Sequence, residues 1–145
     1  GAAYPVLPGS WIGREVPPDP PGYPRYAAWL MAPDYNDYAY EFRLTDDGSQ
    51  GMILFQRFAR RDPDGKAYFI VIDGRDFPAM PAGKTFVSDC IVDGVYRDDI
   101  IVIGASDPAS PTTIIVDQAW QADRASGRII DLGSGLNCTI ELMGG

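Results

Sequence analysis

With 145 residues, 20 acidic against 12 basic side chains and a net charge of −8, the chain has no basic cluster to hold a phosphate backbone, so no nucleic-acid partner is expected. It contains no histidine. That removes the commonest general base, the commonest metal ligand and every Ser-His or Cys-His nucleophile, so no metal or other cofactor is expected and an enzyme is the less expected class. Hydrophobic residues make up 46% of the chain, yet no run approaches the ~18 apolar residues of a membrane span, which fits a folded domain without a transmembrane segment.

Residues 1–24 hold more than half of the 13 prolines, including Pro17-Pro18-Asp19-Pro20-Pro21. Proline fixes φ and donates no backbone hydrogen bond, so this stretch reads as an extended arm ahead of a single β domain at residues 25–145. Trp11, Ile12, Tyr23 and Tyr26 are too apolar for a wholly solvated tether, and parts of the arm are expected to lie against the body. The start Gly1-Ala2-Ala3 fits a mature terminus behind an added glycine, which points to a periplasmic or secreted protein. Arg25 to Ala32, framed by Pro24 and Pro33, has the punctuation of one or two helical turns.

The strands begin at Asp37. Tyr38, Tyr40, Phe42 and Leu44 alternate with Ala39, Glu41, Arg43 and Thr45, the pattern of one buried and one solvated face. Gly51 to Arg60 is apolar on both faces, as a central strand would be, and Lys66 to Ile72 follows the turn Asp62-Pro63-Asp64-Gly65. That turn opens like a calcium loop, but Lys66 takes the next ligand position, so a hairpin is expected. Asp73 to Gly83 reads as the longest irregular stretch of the body. Strands over Thr85–Val92 and Val95–Ile103, a loop at Ser106–Pro111, a hairpin from Thr112 to Leu132 and a last strand from Leu136 complete the chain.

In the hairpin, Ile114, Val116, Trp120 and Ala122 share a spacing broken only at Gln118, and Arg124-Ala125-Ser126-Gly127 turns it. The fold expected is all-β, an antiparallel sandwich or barrel of about eight strands with the proline-rich arm and at most one short helix; α+β is the alternative.

Cys90 and Cys138 both fall on the inward side of their strands, and export would leave them bridged by a disulfide. Asp98 and Asp99, adjacent on an expected strand, point to opposite faces and make no acid–base pair. Any binding site is expected at Tyr35, within the aromatic entry to the sheet, and at Arg75, Asp76 and Phe77 in the loop after Asp73. Such a set suits a protein, a saccharide or a small-molecule ligand. The function expected is an exported, non-catalytic β domain with a binding or structural role. A small-molecule-binding barrel and a carboxylate-based hydrolase are the alternatives.

Overall fold

The computed structural model describes residues 8–31, 37–77 and 81–141. Among them are a 3-10 turn, Pro8–Trp11, and twelve strands: β1 Glu15–Val16, β2 Arg25–Leu30, β3 Tyr38–Leu44, β4 Gly51–Arg61, β5 Ala67–Phe77, β6 Thr85–Val87, β7 Cys90–Val92, β8 Val95–Arg97, β9 Ile100–Asp107, β10 Ser110–Asp123, β11 Arg128–Gly133 and β12 Cys138–Thr139. They form two antiparallel sheets, one ordered β1-β5-β4-β3-β2 and one ordered β6-β9-β10-β12-β7-β8, with β11 paired to β10. The chain is therefore all-β. It divides into two compact units, residues 1–79 with 124–129 and residues 80–123 with 130–145.

In the first unit β4 is the middle strand, as its two-sided apolarity implies. Ile53 and Phe55 share a face with Tyr40, Phe42 and Phe77, and Phe42 meets Phe77 edge-on at 4.3 Å. Met52 and Leu54 point the other way, where Trp11, Val16, Tyr23 and Val71 close over them. The arm reaches that face through its backbone: Gly13 N–H donates to the Val71 carbonyl, Val71 N–H donates to the Arg14 carbonyl, and β1 pairs with β5.

In this unit three local expectations change. Arg25 to Leu30 is strand β2 and not a helix: so short a helix is marginal alone, whereas β3 supplies an unbroken ladder from Arg25 opposite Leu44 to Leu30 opposite Ala39. Asp73 to Phe77 is the end of β5 and not a loop, because β4 extends far enough to pair it, down to Gly51 opposite Phe77. The face of β3 that carries Glu41 and Arg43 is covered rather than solvated, leaving these residues 5% and 2% exposed.

In the second unit, the break in the hairpin pattern at Gln118 is a register shift between Val116 and Gln118. Ile114, Val116 and Ala119 enter a core with Ile100, Val102, Cys90 and Cys138, and Trp120 is buried. The expected loop at Ser106–Pro111 narrows to a tight turn, with Asp107 opposite Ser110. Gly104 must be glycine: a Cβ there would run into the Ile115 carbonyl oxygen of the neighbouring strand.

The strand expected from Val95 to Ile103 is broken at Asp98-Asp99. There the Asp99 carboxylate accepts two 2.8 Å hydrogen bonds from Arg97 and one of 3.1 Å from Gln121. Burial pushes the Asp99 pKa up, but the bonds from Arg97 and Gln121 and the charge of Arg97 outweigh it, leaving the value below the ordinary one. A carboxylate with a lowered folded-state pKa contributes stability that is complete above its unfolded value and is lost as the pH falls through the folded one. Asp99→Asn should therefore lose less stability than the wild type between about pH 5 and about pH 2, measured by denaturant unfolding; equal losses would count against the assignment.

Candidate functional site

Strand alternation puts Ala39, Glu41 and Arg43 of β3 on one face with Leu54 and Gln56 of β4 and Ala28 of β2. On this face a cleft of about 390 Å³ lies between the strands and the arm residues Val16, Pro17 and Asp19. Ala28, Leu30, Ala39 and Phe69 give it apolar walls, Glu41, Arg43 and Gln56 reach it from β3 and β4, and Lys66 also lines it. Its volume falls within the range of small-molecule sites, ~300–1,000 Å³.

Arg43 organises the polar part. Its Nε donates to Glu41 Oε1 at 2.7 Å, its Nη2 to Asp19 Oδ1 at 2.9 Å and to Glu41 Oε2 at 3.3 Å, and its Nη1 to the Tyr23 carbonyl at 3.4 Å. Burial pushes the guanidinium pKa down, but the hydrogen bonds and charges of Glu41 and Asp19 more than offset this and leave it above its ordinary value. Thus Arg43 is held charged in a covered site, spanning from the sheet to the arm.

Gln56 is different. It is 4% exposed, it lines the cleft, and its Nε2 has no hydrogen-bond partner among the described residues. Trp11 Nε1, Tyr23 Oη and Gln50 Oε1 are also buried without a partner, but none of those side chains lines the cleft. A buried donor left unmet costs about 1–3 kcal/mol. A second cleft, of about 620 Å³ in the second unit, is lined by residues including Phe86, Asp89, Tyr96 and Glu141, none of which is a buried polar group without a partner.

Of the residues singled out from the sequence, Arg75, Asp76 and Phe77 line neither cleft. Tyr35 lies outside the described residues. Arg75, Asp76 and Phe77 alternate along β5 instead of grouping on a loop: Phe77 is buried against Phe42, and Asp76 is exposed on the opposite face. Arg75 bonds Asp73 Oδ1 and the Ile129 carbonyl, each at 2.9 Å, while Asp73 Oδ2 accepts the Ile129 N–H at 2.7 Å. This pair ties the turn at residues 124–129 to β5 and so has a positioning role.

Cys90 and Cys138 form a disulfide, with Cα atoms 5.1 Å apart, on neighbouring strands β7 and β12. Asp62 caps its turn by accepting from the backbone of Asp64 and Lys66, as a hairpin turn requires. Among the described residues no group of three Cys, Asp or Glu side chains is placed to hold a metal ion, and no helix is long and apolar enough to cross a membrane. Compared with known protein families, curated proteins and solved structures, the chain matches none.

Proposed function

We propose that this protein is an exported, non-catalytic binding domain whose ligand occupies the cleft above β3 and β4. The observation that carries the reading is the cleft itself, of small-molecule size, with apolar walls over a floor of Glu41, Arg43 and the buried Gln56 amide. The disulfide supports export, since such bonds persist in oxidising compartments. Binding fits better than catalysis because the two carboxylates at the cleft, Glu41 and Asp19, are both tied to the Arg43 guanidinium. A hydrolase would need one of the pair free to act as acid and the other as base.

The reading predicts a trade between stability and binding at one residue. Gln56→Leu keeps a similar volume and removes the unmet donor, so the ligand-free variant should melt several degrees above the wild type and no longer bind. Thermal melts with and without ligand measure both. A variant that melts lower, or binds as the wild type does, would contradict the role given to Gln56.

A further inference from the structure

We propose a second binding site, in the second unit: its cleft of about 620 Å³ takes an organic cation, an ammonium or guanidinium carried on an apolar stem. Charge sets the sign. Residues 80–123 and 130–145 hold nine acidic side chains and two basic ones, so this unit carries seven of the chain's eight net negative charges. Both basic residues are already paired, Lys84 with Asp117 at 3.3 Å and Arg97 with Asp99 at 2.8 Å. Asp89 and Glu141, both exposed, line the cleft, and among the described residues no basic side chain lines it with them. A concave surface in a field of one sign concentrates the opposite ion. That ion is organic, since among the described residues no third carboxylate or cysteine joins these two to hold a metal.

The walls set the rest of the ligand. Val87, Ile91 and Ile140 are aliphatic and Phe86 and Tyr96 are aromatic, a lining that suits methylene groups and, at the rings, a cation; Ser88 is the one other polar residue there. Tyr96 is held in place, because its hydroxyl donates to Asp89 Oδ1 at 2.9 Å and its strand partner is Ile91. Yet it remains 59% exposed, and Val95 beside it 60%, the two highest values among the large apolar residues described. An ordered aromatic ring left uncovered at a cleft is a contact surface prepared before binding. An anion would meet both carboxylates there without a counter-charge.

The test is an NMR titration of the whole, isotopically labelled chain at low salt, read at the methyl groups of Val87, Ile91 and Ile140. Four probes are compared: cyclohexylmethylammonium, cyclohexylmethanol, cyclohexanecarboxylate and a blocked tripeptide with lysine between two leucines. The expected result is saturable movement by a cationic probe at least about tenfold tighter than by the alcohol, with the carboxylate weakest and the preference falling as salt is added. The tighter of the two cations identifies the source, a free amine or the basic side chain of a partner polypeptide. In the double variant Asp89→Asn with Glu141→Gln, two exposed positions, the preference should shrink to less than about threefold. Equal saturation of the wild type by the alcohol, or a preference that survives in the variant, would overturn the cation assignment. If none of the four moves these signals, this cleft is not a binding site.

Discussion

Replacing Arg43 with methionine is expected to destabilise the first unit by about 3–5 kcal/mol, because it leaves the Glu41 carboxylate in a covered site without its counter-charge. The size follows from an asymmetry. Removing one member of a buried pair strands the other, while replacing both by apolar groups of similar shape is often nearly neutral. The double variant Arg43→Met with Glu41→Leu should therefore recover most of the loss. Asp19→Asn should cost no more than about 1 kcal/mol, since that carboxylate is 63% exposed and its pairing is screened by solvent. Chemical denaturation of the three variants checks the order. A single Arg43→Met variant as stable as the double would mean that Glu41 does not depend on the guanidinium.

Opening the disulfide is the second large perturbation. Cys90 and Cys138 are 48 residues apart, and in the chain-entropy account a loop of that length contributes about 4 kcal/mol by restricting the unfolded chain. The topology says where the loss should appear first. Strands β7 and β8 join the seven-stranded sheet through β12, which is only two residues long and pairs with β7 at Thr139 opposite Ile91. Reduction, or Cys90→Ala with Cys138→Ala, should therefore speed amide exchange at Ile91 and Val92 well before it reaches Ile101 and Val102 in β9. Uniform loss of protection across the second unit, or none, would show that the bridge does not fasten this edge.

Much of the fold was legible because alternation survives wherever a strand has one covered side. The long hairpin, its offset at Gln118, the buried Trp120, the central position of β4 and the facing cysteines all follow from period-two patterns and turn residues. The expectation failed where a neighbour overrode local preference. Arg25 to Leu30 has helix formers between prolines, but the free edge of β3 decides its state. The short strands β6 to β9 read from the sequence as two longer ones because Ser88-Asp89 and Asp98-Asp99 do not break the apolar pattern strongly.

The candidate site was less legible, and the reason lies in β3. Glu41 and Arg43 read as solvated because charged residues usually are. A signal was nonetheless present in the next strand: Met52 and Leu54 are apolar on the side that pairs with Arg43 and Glu41, so a cover over that face of β4 would reach those charges as well. The cover comes from Trp11, Val16 and Tyr23, separated from β4 by dozens of residues and by a proline-rich stretch with no strand periodicity of its own. Nothing local marks Gln56 either, since its significance is the absence of a partner, which only the assembled face reveals.

The central claim is that the cleft beside Gln56 takes a ligand, and the most direct measurement is a parallel small-molecule thermal-shift screen of the wild type and Gln56→Leu. The account predicts compounds that raise the melting temperature of the wild type and lose that effect in the variant, although the variant itself melts higher. It would be contradicted by a wild type that no compound stabilises, or by a variant that responds to the same compounds to the same extent.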